Sequence, residues 1–102
     1  MPRYIVKIKD RYFDWSTIVD APLTYGMTLE ELEEYHREMY GIQGHRDFAQ
    51  RMERVEKKGC SCVYGYVTME HVVTQNRCGD NEESLTIDEI YELYGFPPEE
   101  EA

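Results

Sequence analysis

The chain is poor in positive charge. Its 102 residues include 11 Lys and Arg residues against 21 Asp and Glu residues, which gives a formal net charge of −10. A surface with this balance repels phosphates, which argues against direct binding of nucleic acid or of an anionic membrane through a broad basic face. We expect the partner to be basic instead, either a protein or a ribonucleoprotein complex.

Long apolar runs are also missing. No stretch approaches the roughly 20 apolar residues of a membrane span. The opening segment, MPRYIVKIKDRY, has neither the apolar length nor the cleavage site of a signal peptide. We therefore expect no membrane association and a cytoplasmic location, in the host cell if the gene is carried by a phage. The length predicts a single domain over residues 1–96, followed by an acidic tail over residues 97–102.

Signatures of catalysis are absent as well. No glycine-rich loop follows a strand and opens a helix. None of the histidines has a serine, cysteine or carboxylate partner at a spacing that marks a catalytic unit; they are His36, His45 and His71. A chain of this size buries one modest core and has little room for a deep cleft. We predict a protein that is not an enzyme and binds no cofactor.

The cysteine number is odd. Three cysteines fit reduced thiols better than a disulfide framework. Cys60, Cys62, His71 and Cys78 nevertheless form a C-x-C-x8-H-x6-C pattern whose residue types suit tetrahedral zinc, with His45 as a spare ligand. The spacing is uncommon, and two sulfurs on one strand need a bulge to converge. We prefer to interpret the cysteines as small buried residues, and keep a small metal protein or enzyme as the alternative.

The clearest element is an amphipathic helix in the segment TLEELEEYHREMYG. Thr28 and Glu31 form a T-x-x-E capping box, and Gly41 supplies the stop. Apolar and aromatic residues recur at helical spacing and predict one buried stripe. The stripe consists of Leu29, Leu32, Tyr35, His36 and Met39.

Carboxylates occupy the opposite side of this helix. Glu30, Glu34 and Glu38 follow at i, i+4 and i+8, which spaces them about 6 Å apart along the axis, comparable to the phosphates of a nucleic-acid strand. Most of the remaining surplus forms a second block: Asp80, Glu82, Glu83, Asp88, Glu89 and Glu92. Such rows can occupy a Lys/Arg groove built for phosphates. The alternative is a solvated helix that uses Glu for solubility.

The remaining elements follow from periodicity, turn residues and caps. Strands are predicted over residues 3–9, 12–19, 60–67 and 71–75, and helices over residues 46–58 and 86–94. The exposed face of the helix at 46–58 leans basic. Together these elements predict an α+β fold, a small antiparallel sheet of three to four strands with three helices packed on it, in the approximate order ββααββα.

Tyrosine is abundant, with nine copies. Most occupy positions where a core or its rim accommodates a large amphipathic side chain. Tyr25, Tyr40 and Tyr94 lie near helix ends or in a loop, where we expect them to be exposed. Because tyrosine is enriched at interfaces, we add Tyr25 and Tyr40 to the predicted partner-binding residues, which otherwise comprise Glu30, Glu34, Glu38, Asp88, Glu89 and Glu92.

The acidic character, small size and element pattern resemble those of small inhibitors carried by phages and other mobile elements, including anti-CRISPR proteins and other nucleic-acid mimics. The segments YFDWSTIVDAP and GMTLEELEEYHREMYG also look like those of small mobile-element proteins. The resemblance implies inhibition of a nucleic-acid-handling host complex by occlusion of its basic binding surface, most concretely a CRISPR effector. A protein-interaction adaptor or homodimeric regulator that uses an aromatic surface is the alternative, so the chain is expected to be a monomer or a homodimer.

Overall fold

The computed structural model describes residues 3–64 and 67–96, and a short antiparallel sheet lies at its centre. Strand β1 covers Arg3–Ile8, β2 covers Arg11–Ser16 and β3 covers Ala21–Pro22, in the order β1-β2-β3. Alternating apolar residues and a turn predicted at Asp10 and Arg11 indicate the hairpin of β1 and β2, which is confirmed. The turn itself lies one residue earlier, at Lys9 and Asp10. The predicted tail at 97–102 lies outside the described residues.

The free edge of β1 is covered by the chain segment that follows the second helix. The Lys7 amide donates to the Gly59 carbonyl at 2.8 Å, and the Ser61 amide donates to the Ile5 carbonyl at 2.9 Å. Cys60 forms an isolated bridge with Val6. Of the strand predicted over residues 60–67, the described residues show this bridge and no longer strand. Residues 65 and 66 lie outside the described part of the chain.

Two helices follow the sheet. Helix α1, Leu29–Gly44, begins with the predicted capping box of Thr28 and Glu31. Its helical conformation is interrupted at Gly41, where φ is 71° and ψ is −179°, a conformation open essentially to glycine. A 3-10 turn at His45–Asp47 leads into α2, Phe48–Lys58, which ends at Gly59 with φ of 82°.

Two further helices complete the fold. Helix α3, Met69–Val73, replaces the strand predicted at residues 71–75, and α4, Ile87–Tyr94, begins with the predicted box of Thr86 and Glu89. The prediction at 71–75 was wrong because it relied on the strand preference of consecutive valines. Thr68 instead caps a helix with His71, and Val72 and Val73 are both buried, which breaks the alternation of a half-buried strand.

The sheet carries apolar side chains on both faces, and each face packs against different helices. Val6 and Phe13, paired across the hairpin, face α3 and α4. The core on that side comprises Val6, Ile8, Phe13, Trp15, Cys60, Cys62, Val72, Val73 and Ile90. The core on the other side comprises Ile5, Tyr12, Leu32 and Val55, from the hairpin, α1 and α2. The α+β class and the small antiparallel sheet are confirmed, with helices covering both faces.

Candidate functional site

The acidic row of α1 is exposed and uncompensated. Glu30, Glu34 and Glu38 are all exposed, and within residues 3–64 and 67–96 none of them forms an ion pair. Glu33, beside the row, differs because it bonds Arg37 at 3.3 Å. Like charges four residues apart destabilise a helix slightly. The row therefore presents a line of free carboxylates to solvent.

The carboxylates of α4 are more engaged. Asp88 pairs with Lys9 at 2.9 Å, and this hydrogen bond raises the pKa of the Lys9 ammonium. Glu89 accepts a hydrogen bond from the Thr86 amide at 3.0 Å, as the second half of the capping box. Glu92 is exposed and has no ion pair in the described part of the chain. Two of the three carboxylates of this helix, Asp88 and Glu89, therefore already have partners within the chain.

The two acidic helices cover opposite faces of the sheet. Leu32 of α1 packs with Ile5 and Tyr12, whereas Ile90 of α4 packs with the core on the other side. The end of α4 is linked to the residues just before α1, since the Gly26 amide donates to the Tyr94 carbonyl at 2.7 Å. The α4 carboxylates therefore do not extend the α1 row along a shared layer.

The predicted apolar stripe of α1 is only partly buried. Leu32 and His36 are buried, but Leu29 is 48% exposed and Met39 is 50% exposed. Only the middle of α1 contributes to the core that it shares with the hairpin, so the two ends of the stripe extend past the covered area. The prediction that Leu29 and Met39 are buried was wrong, and both add exposed apolar surface to the side of α1 that lies away from the acidic row.

The tyrosines selected for exposure differ in their surroundings. Tyr25 is exposed, as predicted. Tyr40 is half-buried: its ring centroid lies 4.6 Å from that of His36 and 5.7 Å from Arg51 Cζ. Tyr94 is also half-buried and donates to the Cys78 carbonyl at 3.3 Å. Helix ends in this fold are covered by neighbouring elements, which is why two of the three expectations were wrong.

The cysteine and histidine pattern does not converge. Cys60 and Cys62 are buried in the core, and Cys60 donates to the Val67 carbonyl at 3.5 Å. His71 is exposed and caps α3, while burial raises the pKa of the Cys78 thiol. Among the described residues, no three His, Cys, Asp or Glu side chains are placed to share a metal ion. The pattern is explained instead by packing and helix capping.

A buried polar cluster that the sequence did not predict lies between α1 and α2. The Arg51 guanidinium lies 2.7 Å from His36 Nε2, and His36 Nδ1 lies 3.0 Å from His45 Nδ1. Because a guanidinium only donates, Nε2 must accept and the His36 proton resides on Nδ1. His36 is 1% exposed, and its burial, with Arg51 beside it, lowers its pKa to about 4. The ring is therefore neutral near pH 7.

An open cavity of about 600 Å³ adjoins this cluster. Its walls include the side chains of Arg3, Arg51, Arg54, Asp47, Ser61, Tyr4, Tyr40 and Tyr64. They come from β1, the end of α1, α2 and the segment after α2, so tertiary packing alone brings them together. The basic lean of the helix at 46–58 was the sequence signal that pointed towards this surface.

The arginines of the cavity are held mainly by neutral acceptors. Arg54 Nε donates to the Ser61 carbonyl at 2.8 Å, and Arg51 reaches the Ser61 hydroxyl at 3.5 Å. Over residues 3–64 and 67–96, neither Arg51 nor Arg54 has a carboxylate within 4.0 Å. Arg3 differs, because it pairs with the buried Asp14 at 3.4 Å.

No protein-family model, curated protein or solved structure matches this chain. Within the described residues, no helix has both the length and the apolar character required to cross a membrane.

Proposed function

We propose that the protein is a non-enzymatic inhibitor that binds the basic surface of a nucleic-acid-handling host complex through helix α1. The observation that carries the proposal is the line of Glu30, Glu34 and Glu38, exposed and without an ion pair in the described chain. Carboxylates spaced about 6 Å apart match the arginines and lysines of a groove that normally tracks phosphates. Such a match steers association and makes it sensitive to salt.

Exposed apolar surface elsewhere on α1 also supports an interface on this helix. Leu29 and Met39 are each about half exposed, and Ile42 is 83% exposed. Protein interfaces combine an apolar core with a polar rim, and these three side chains would supply apolar contact area to such an interface. A helix selected only for solvation would favour charged or polar residues at these positions.

The resemblance to anti-CRISPR proteins narrows the partner to a CRISPR effector ribonucleoprotein in the host cytoplasm. In this proposal the inhibitor occupies the basic channel that otherwise receives nucleic acid. We assign the contact to α1 and not to α4, because the carboxylates of Asp88 and Glu89 are already engaged by Lys9 and Thr86.

The test measures binding of the full chain to a panel of purified CRISPR effector complexes, at low and at high salt. Changing Glu30, Glu34 and Glu38 together to Gln removes three charges without shortening the side chains. We expect affinity for the cognate effector to fall about tenfold to a hundredfold, because exposed ion pairs are each worth up to about 1 kcal/mol. Raising the salt concentration is expected to lower the affinity of the unmodified protein more than that of the variant.

A matched control removes three charges from elsewhere in the chain. Glu82, Glu83 and Glu92 are exposed and unpaired within the described residues, so changing them to Gln alters net charge equally. We expect this variant to bind with little change. Equal losses in the two variants would show that net charge alone drives binding. Salt-independent affinity would refute charge mimicry, and binding to no effector in the panel would refute the anti-CRISPR assignment.

A further inference from the structure

The cavity beside α2 concentrates positive charge in a strongly acidic protein. Arg3, Arg51 and Arg54 line it, against the single carboxylate of Asp47 among its described lining residues. With 21 acidic residues in the chain, a surface that only needed neutralisation would be expected to pair each arginine with a carboxylate. Arg51 and Arg54 instead contact a serine, a backbone carbonyl and a neutral histidine.

This arrangement keeps both guanidinium charges available. Arg54 uses Nε to bond the Ser61 carbonyl at 2.8 Å, and no bond of its two terminal nitrogens is found within residues 3–64 and 67–96. The imidazole of His36 accepts from Arg51 at 2.7 Å and carries no charge of its own. The contacts orient the guanidinium groups without neutralising them, which is how arginine is positioned to bind phosphate oxygens.

Aromatic rings complete the lining of the cavity. Tyr4, Tyr40 and Tyr64 all border it, and Tyr64 is 58% exposed. Tyrosine rings provide flat surfaces on which a heterocycle can stack. A volume of about 600 Å³ lies within the usual range for small-molecule sites.

We propose that this cavity binds a small phosphate monoester carried on a planar ring, of the nucleoside monophosphate class. Arg51 and Arg54 would bind the phosphate, and Tyr4 and Tyr64 would contact the ring, since Tyr40 already packs on His36. The net charge of −10 opposes a long polyanion, but its field is screened beyond about 8 Å at physiological salt. For one small anion the local arginines therefore dominate. This proposal is independent of the inhibitor function assigned to α1.

The test titrates the isotope-labelled full chain with adenosine monophosphate and follows backbone amide signals by NMR. We expect shifts concentrated at cavity residues such as Gly44 and Ser61, with no shift on α4. Adenosine and inorganic phosphate serve as separate probes, and each is expected to bind more weakly than the monophosphate. A short single-stranded oligonucleotide is expected to bind no more tightly than the mononucleotide.

Substitutions then locate the site. Arg54→Gln is expected to weaken monophosphate binding about tenfold or more, the effect of one charge-assisted hydrogen bond. Arg51→Gln should also weaken monophosphate binding, but it removes the buried contact with His36 and could disturb folding. Arg54→Gln leaves that contact in place and is therefore the decisive variant. Arg37→Gln is the matched control, because Arg37 lies on α1 and bonds Glu33, and should change nothing.

Several outcomes overturn the proposal. Absence of amide shifts at millimolar monophosphate would remove the site. Equal binding of adenosine would show that the phosphate is not recognised, and equal binding of inorganic phosphate would show that the ring is not. Tighter binding of the oligonucleotide would show that the cavity recognises a nucleic-acid strand and not a small monophosphate. If Arg37→Gln weakened monophosphate binding as much as Arg54→Gln, the arginines would act only through the overall charge of the protein and not through a specific site.

Discussion

Acidification from pH 7 to 5 is expected to destabilise the protein through His36. The ring is 1% exposed, accepts a hydrogen bond from Arg51 at 2.7 Å and contacts His45 at 3.0 Å. Protonation would place an imidazolium against a guanidinium in a desolvated space and would break the bond between them. Burial and Arg51 therefore lower the pKa of His36 from 6.5 to about 4.

The sign and size of the effect follow from this difference. In the unfolded chain His36 has a pKa near 6.5, so below that pH the unfolded state binds a proton that the folded state refuses. Stability contributed by the neutral ring is present above pH 6.5 and is lost as pH falls towards the folded pKa of about 4. The loss relative to pH 7 is about 2 kcal/mol at pH 5 and about 3 kcal/mol at pH 4.

Urea unfolding at pH 7, 6 and 5 measures this loss, with the single tryptophan, Trp15, as a fluorescent reporter in the core. The variant His36→Gln cannot titrate, so its free energy of unfolding should change little from pH 7 to 5, whatever its stability at pH 7. His71→Gln, at an exposed histidine, should retain the dependence of the unmodified protein. If His36→Gln loses as much stability as the unmodified protein on going from pH 7 to 5, the assignment is refuted.

Two further predictions concern local structure, and both are checked by urea unfolding at pH 7. Gly59→Ala should cost about 1–3 kcal/mol, because Gly59 has φ of 82° and an added Cβ would lie 2.6 Å from the Met69 Cβ. Asn76→Ala should cost about 2–4 kcal/mol by leaving buried groups unpaired, since the Asn76 side chain bonds both the amide and the carbonyl of Leu85 at 2.8 Å. Gln75→Ala, at the exposed neighbour, should change stability little; a similar cost there would contradict the second prediction.

Local signals predicted much of the fold because their physics involves only neighbouring residues. The boxes of Thr28 with Glu31 and Thr86 with Glu89 depend on residues three apart, and both form. The first hairpin depends on alternation and a short turn, and it also forms. At residues 71–75 the strand preference of valine was outweighed by a cap and by tertiary packing, which a local pattern does not include.

The candidate sites divide in the same way. The α1 carboxylates were predicted from helical spacing, because positions four apart share a face. The cavity was not, since Arg3 is far in the chain from Arg54 and Ser61 and meets them through the packing of α2 against β1. Likewise, the ion pair of Asp88 depends on Lys9, a residue of the hairpin turn that no helix pattern could connect to Asp88.

The central position of the first hairpin affects how the chain can fold during synthesis. The hairpin is made first, yet the helices that cover its two faces include α2 on one side and α4 on the other. Phe13 and Trp15 therefore remain without Ile90, their neighbour in the core, until synthesis has reached α4. The core with α1 and α2 can close once Val55 has been made, whereas the core on the other face of the hairpin must wait for α4.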